Sequence, residues 1–426
     1  MDSQNQYYLI FVRICLFVII IGMFTMDSFH ILANQGILAL TGFALLYFLL
    51  NIRNFSVFLV EKRFSVFILI FITFIISLLK TNPENQKYAA LQFELHYQFL
   101  ALPFLFAVLP PFPKKLYYDT FFLFLLIVFV CSVGSTAIYF QNKEYFDWAY
   151  GKSHLIPTPI NHVRYSLMVT FAIFVSFYLL VKNYFNDLFF KFLNIAILIF
   201  LIFYQHLLAV RSGLVAFYAV LLLIIFYSIT SKNFKNGILV FLGAIALITI
   251  SFFSLDTLRN KWGYTMYDWN LSDIKDKANH YSIGKRLVSQ QVTFELFRDH
   301  PIFGVGEGNL EAEVRKGYEK NFSYVEPANR LSPHNQYLRT LAATGILGFI
   351  IFMCCFYFPL FSGKNYKSKI LLSIYIITSV SFLFEDTLET KAGLTFTFFF
   401  IMFCLHYTKA IRSDRDLIHD LEKRQS

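Results

Sequence analysis

The sequence predicts an all-α, polytopic integral membrane protein of about twelve transmembrane helices, with one large helical loop between helices 9 and 10. Three observations predict it. Hydrophobic residues make up 57% of the 426 positions and charged residues only 15%, more apolar surface than a soluble protein of this size can hide. Apolar runs of about 17–25 residues recur along the whole chain, each long enough to cross ~30 Å of hydrocarbon as a helix. Lys and Arg concentrate in alternate short loops, the pattern that fixes orientation in a bilayer.

The spans fall near 8–29, 31–50, 64–80, 92–109, 116–140, 162–182, 188–206, 211–229, 236–254, 337–360, 368–384 and 391–408. The run at 92–109 is short and contains Pro103, and a miscount there inverts everything after it. The first span is long and lacks a small-residue cleavage site, so it reads as a retained helix and not as a removable signal peptide. With the N-terminus inside, the inside loops hold Arg53, Lys62 and Arg63; Lys114 and Lys115; Lys182 and Lys191; Lys232 and Lys235; and Lys364, Lys367 and Lys369. A tail over 409–426 adds Lys409, Arg412, Arg415, Lys423 and Arg424. Both termini are therefore expected inside, and 1–426 reads as a single integral membrane domain.

These basic residues account for much of the net charge of +10, so the charge is a topology signal. No basic patch interleaved with aromatics is present, and nucleic acid is not an expected partner. Cys15, Cys131, Cys354, Cys355 and Cys404 all fall within spans, which argues against a disulfide framework and offers no metal-ligand spacing. No internal repeat is visible, which disfavours transporter folds built on duplicated halves.

Chemistry is expected in the polar segment 255–336 and at the outer ends of the spans. Arg211 and Arg164 each open a span on the outside, where a snorkelling arginine competes with an anion anchor as the explanation. Arg286 heads a helical run to Arg298 and is either a solvated charge or a third guanidinium. Two or three such forks suit a diphosphate, which one arginine would leave under-neutralised. His162 precedes Arg164. The segment Gly304-Val305-Gly306-Glu307-Gly308-Asn309 is either a turn whose N–H groups face an anion or a link between two helices. In Pro333-His334-Asn335, His334 stands at the mouth of a span, where it is either a proton acceptor or a bystander to a cap made by Ser332 and Asn335. His300 and His280 are weaker rivals. Glu385 and Asp386 read as an interfacial pair, as a second acid and base, or as an acceptor-sugar contact.

Taken together, these residues resemble a known family. The run of spans with one late outside loop, Arg211-Ser212-Gly213, Arg286, the stretch His300 to Asn309, Pro333-His334-Asn335-Gln336-Tyr337-Leu338 and Thr344-Gly345-Ile346-Leu347-Gly348 are similar to the O-antigen ligase and polymerase superfamily, over about Leu207 to Phe352. The resemblance implies a bacterial inner-membrane glycosyltransferase, metal-independent, inverting and without cofactor, whose loop 255–336 is periplasmic and whose tail is cytoplasmic. Its donor would be a glycan on undecaprenyl pyrophosphate and its acceptor lipid A–core or another glycan. It implies catalytic roles for Arg211, Arg286 and His334. Arg164, His162, Asn335, Gly306 and Glu307 are the expected substrate contacts. An O-antigen or exopolysaccharide polymerase shares this arrangement. Leu222 and Phe297 stand eleven residues after Arg211 and Arg286, where some polymerases carry glycine. A non-enzymatic flippase of lipid-linked sugars is the alternative from another class, and it would need charges lining a path at mid-membrane depth.

Overall fold

A computed structural model describes residues 3–26, 31–50, 61–152, 154–230, 234–270 and 274–425. Arg53 and Lys232, and the side chains of Arg412, Arg415, Lys423 and Arg424, lie outside the described residues. Within them the protein is all helix and turn, with no strand. In chain order the helices are α1 (Ser3–Phe24), α2 (Leu32–Leu50), α3 (Lys62–Ser65), α4 (Phe67–Leu78), α5 (Gln86–His96), α6 (Gln98–Val108), α7 (Lys114–Gln141), α8 (Lys143–Tyr150), α9 (His162–Val181), α10 (Leu188–Leu208), α11 (Arg211–Thr230) and α12 (Phe234–Ser254). The polar segment then folds as α13 (Asp256–Asn270), α14 (Ile274–His280), α15 (Ser282–Asp299) and α16 (Leu310–Asn321). The chain ends with α17 (Gln336–Phe361), α18 (Lys369–Phe384) and α19 (Lys391–Gln425).

Among the described residues, nine helices are long and apolar enough to cross a membrane. Three of the twelve expected spans are met by shorter helices. The run at 64–80 is α3 and α4, joined through Val66; the run at 92–109 is the end of α5 and all of α6, joined through Tyr97, with Pro103 inside α6; and the run at 368–384 is the 16-residue α18. Val66 and Tyr97 keep helical backbone angles, so each run continues in one direction through its junction.

The spans differ sharply in burial. The protein covers 83% of the α9 span and 89% of the α19 span, but only 11% of α12. The first two are the centre of the bundle, and α12 faces outward, where lipid tails suit its apolar surface. Aromatic rings fill the centre. Phe396, Phe400 and Phe403 of α19 pack on Phe121 and Phe124 of α7 and Phe171 of α9. The α13–α17 region has a small core of its own, built from Val288, Val292, Leu310, Val314, Tyr318, Phe322, Val325, Ala342 and Ala343.

A glycine pair splices that region to the bundle. Gly345 interrupts α17 with φ 67° and ψ −173°, and Gly304 takes φ 62° opposite it. A Cβ on Gly345 would lie 2.2 Å from the Ile302 carbonyl oxygen, and one on Gly304 would lie 2.4 Å from Ala343. The close approach lets the N–H groups of Val305 and Gly306 donate to the carbonyls of Ala342 and Ala343, each at 2.9 Å. The N–H of Ile346 returns to Pro301 at 2.8 Å. The kink frees α17 carbonyls, and the glycine-rich segment supplies the donors that satisfy them.

Candidate active site

The site forms where the N-terminal ends of α9, α11 and α17 meet α13, α15 and the tight turn between α18 and α19. Arg211 and Arg164 lie in the first turns of their helices, at the positive end of the helix dipole, where a cation is disfavoured. Something other than helix stability holds them there. Ala209, in the left-handed region at φ 49°, ends α10 abruptly and brings Arg211 to the mouth of the bundle after a two-residue link.

Arg164 is buried and paired through both terminal nitrogens. Its two terminal nitrogens donate to Glu385 Oε2 at 3.1 Å and to Asp386 Oδ1 at 3.3 Å. Arg286 approaches from α15, donating to Glu385 Oε1 and, at 3.2 Å, to the Phe384 carbonyl. His334 completes the cluster. Its Nδ1 lies 3.4 Å from Glu385 Oε2 and 3.9 Å from Asp386 Oδ1, at ion-pair range but off the line of a hydrogen bond. Ser332 donates to Asp386 Oδ2 at 3.3 Å, and Asn335 caps α17 by accepting from the Leu338 N–H at 3.0 Å. Asn335 also donates to the Leu383 carbonyl at 3.1 Å, tying the histidine segment to the end of α18.

The two carboxyls differ. Burial opposes ionisation of Glu385, but the His334 ring and the Arg286 and Arg164 charges more than offset it and bring it down to about 2. Asp386 is shifted upward, because burial outweighs its favourable neighbours. Adjacent carboxyls whose environments push them apart can serve one as a fixed anion and the other as a proton carrier.

Next to this cluster the charge balance changes sign. Arg211 donates to Ser282 Oγ at 2.7 Å and has no carboxylate partner among the described residues. Ser282 is held in turn through its N–H, 3.4 Å from the Tyr264 hydroxyl. The buried Lys261 places Nζ 5.2 Å from the centre of the Tyr264 ring. Burial, with the charges of Arg211 and Arg286 nearby, lowers Lys261 to about 7. His162, half-buried at the first residue of α9, lies within the electrostatic reach of Lys261, Glu385, Arg164 and Arg286. The buried Asp268 carboxylate lies within electrostatic reach of both Arg211 and Lys261, and its Oδ2 accepts from the Ile283 N–H at 2.8 Å. A cluster this rich in desolvated cations favours an anion that joins it.

The structure thus brings Arg164, His162, Arg286, Arg211, His334 and Asn335 together. Gly306 and Glu307 go elsewhere. The N–H groups of Val305, Gly306 and Glu307 are spent on the carbonyls of α17 and, at 2.7 Å, on Ser77 Oγ, so the turn does not present them to an anion. Glu307 is buried against Arg339, which also pairs with Glu389 at 3.0 Å. His300 ends α15 as its C-cap, and His280 closes α14. Sequence reading did not find Lys261, which stands in the middle of a polar helix without a motif. It also passed over Arg339, although a charge three residues into an apolar run was a usable signal.

His334, Glu385 and Asp386 offer ligand atoms that lie within 4.8 Å of one another and are close enough to hold a metal ion. Arg164 and Arg286 already neutralise those carboxylates, and their charges compete with a cation there.

Comparison with known proteins follows the same residues. Residues 196–353 match the model of the family described as O-antigen ligase. Over 233 residues the chain is 26% identical to an uncharacterized protein of Haemophilus influenzae, covering 52% of this chain and 57% of that protein. The chain thus matches just over half the length of that relative. The family match takes in Arg211, Lys261, Arg286 and His334, whereas Arg164, Glu385 and Asp386 lie outside it.

Proposed function

The chain belongs to the O-antigen ligase superfamily, and from that premise we propose that it transfers a glycan from undecaprenyl pyrophosphate to a hydroxyl of lipid A–core. The reaction takes place on the periplasmic face of a bacterial inner membrane. The observation that carries this reading is the convergence of the desolvated cations Arg211 and Lys261 with Arg286, one step from His334 and its two carboxyls. A pyrophosphate fits the first part and a reacting hydroxyl the second.

The chemistry follows from the geometry. The acceptor oxygen forms a bond to the anomeric carbon, and the bond from that carbon to the pyrophosphate oxygen breaks with its electron pair. Arg211, Arg286 and Lys261 stabilise the charge that develops on the leaving group, the role a divalent cation plays in other glycosyl transfers. The ionised Glu385, fixed by Arg164 and Arg286, stands 3.4 Å from His334 Nδ1, where its charge favours the protonated ring, and leaves Nε2 to take the hydroxyl proton. The donor is activated before it arrives, so the reaction needs no nucleotide in the periplasm. Direct displacement inverts the anomeric centre, and no metal is required.

The test is the gel profile of surface glycans from a deletion strain complemented with wild type or with His334→Ala. A ligase gives long glycan on lipid A–core only with wild type, and polymer accumulates on undecaprenyl pyrophosphate with the variant. Single repeat units on lipid A–core, without long chains, would identify a polymerase instead. A profile unchanged by the deletion would overturn the reading and point to transport.

A further inference from the structure

The segment Leu331–His334 has a second neighbour besides the catalytic cluster. A cavity of about 460 Å³ opens between it and α16, within the ~300–1,000 Å³ usual for small-ligand sites. One face of α16 forms a wall through Glu311, Val314, Arg315, Tyr318 and Glu319, spaced three and four residues apart. Pro327 and the segment Arg330 to Pro333 form the other wall, and Arg339 lines it from α17.

The lining mixes Glu–Arg pairs with apolar side chains and is close to neutral. Arg315 donates to Glu311 at 2.9 Å, and Arg330 lies 3.5 Å from Glu319 while its Nε is fixed on the Val325 carbonyl at 3.1 Å. Arg339 is neutralised by Glu307 and Glu389, yet its buried Nε has no hydrogen-bond partner. The arginines of the lining are each paired with a glutamate, so a phosphate gains little there, and Val314, Tyr318, Leu331 and the prolines between the Glu–Arg pairs give mixed walls that suit a ligand with both hydroxyls and apolar ring faces. A sugar matches, because each hydroxyl accepts from a guanidinium while donating to a carboxylate.

Position decides which sugar. The cation cluster reaches the two carboxyls through Arg286 on Glu385 Oε1 and is built on α11, α13 and α15. The cavity reaches them through Ser332 on Asp386 Oδ2 and is built on α16, the 327–333 segment and α17. In a direct displacement the attacking oxygen enters on the face of the carbon opposite to the one the leaving group departs from.

We propose that this cavity is the acceptor subsite, holding a neutral, hydroxyl-rich saccharide and presenting one hydroxyl to His334 and Asp386. This rests on reading the site as a glycosyl-transfer centre.

The experiment uses the full chain in nanodiscs. Glu319→Ala removes a hydrogen-bonding wall residue and Glu311→Trp fills the space; both positions are exposed enough to tolerate change, with side chains 67% and 39% exposed. Initial rates are measured with lipid-linked donor and lipid A–core acceptor titrated separately. Glu319→Ala is expected to raise the acceptor KM about tenfold, the worth of a lost hydrogen bond to a charged group, and Glu311→Trp to raise it further. The donor KM and kcat should stay close to wild type. An unchanged acceptor KM, or a donor KM that rises in its place, overturns the proposal. Binding of core oligosaccharide freed of lipid A, followed by saturation-transfer NMR, tests the subsite without turnover. Wild type should bind it and Glu311→Trp should not; equal binding by both overturns the subsite. Absence of transfer by wild type to any acceptor would sink the glycosyl-transfer reading itself.

Discussion

Two ionic networks grow from the single turn Glu385–Glu389, and they differ in how fully they are satisfied. At the far end, Glu389 and Glu307 close on Arg339, with His96 lying 3.6 Å from Glu389 and Tyr88 accepting from Arg339 at 3.2 Å. Every member is buried or nearly so, and acids match bases. At the near end, Glu385 and Asp386 serve Arg164 and Arg286, while Arg211 and Lys261 sit beside them near the buried Asp268, so that among the described residues four cations face three carboxyls. A self-neutralised network fixes structure. A network left short of anions keeps room for one that arrives with a substrate.

The largest effect expected from this contrast falls on stability at the far end. Arg339→Ala leaves Glu307 and Glu389 buried without a counter-charge, which costs about 3–5 kcal/mol. Thermal melting in detergent should show a large fall, with partial recovery when both acids are also made glutamine. A variant that melts like wild type would remove the distinction between the two networks.

Arg211→Ala should do the reverse. Removing one stabilising donor for a developing charge lowers turnover by roughly 10²–10³-fold. The melting temperature of the unliganded protein should hold or rise, because a poorly compensated charge has left a desolvated cluster. A matched loss of stability and activity would place Arg211 among the structural pairs.

Lys261 sharpens the comparison through pH. With Lys261 lowered to about 7, the folded protein releases a proton that the unfolded chain keeps up to the ordinary lysine range. Unliganded protein therefore gains stability as pH rises above about 7, and Lys261→Gln flattens that rise. Melting curves taken across this range, with and without the substitution, check the sign. The smallest effect expected is none at all: chelation with EDTA leaves glycan transfer unchanged, because guanidinium charge occupies the place of a metal. A fall in activity that added divalent cation restores would turn His334, Glu385 and Asp386 into metal ligands.

The parts legible in the sequence were those whose physics is local. Arg211, Arg286 and His334 stand beside glycine, proline and span boundaries, where a charge or an imidazole demands explanation. The helices themselves were legible from apolar length. The kink at Gly345 inside α17 was not, because apolar side chains continue across it. Glu385 and Asp386 read as an interfacial pair, since nothing in the chain says that a turn after α18 will carry them to a histidine about fifty residues away. The glycine-rich stretch misled in a specific way: its conformational freedom serves the kink at Gly345, and its N–H groups are consumed there. Arg339 and Glu307 are partners only in three dimensions, so Glu307 alone read as a ligand contact and Arg339 was passed over.

The central claim is that Arg211, Lys261 and Arg286 form a diphosphate site. The most direct measurement is the binding of undecaprenyl pyrophosphate to purified wild type, Arg211→Ala and Lys261→Gln, with undecaprenyl monophosphate as comparison. The account predicts that wild type binds the pyrophosphate more tightly than the monophosphate, and that each substitution removes most of that preference. Equal affinity for both lipids in wild type, or a preference that survives both substitutions, would contradict it.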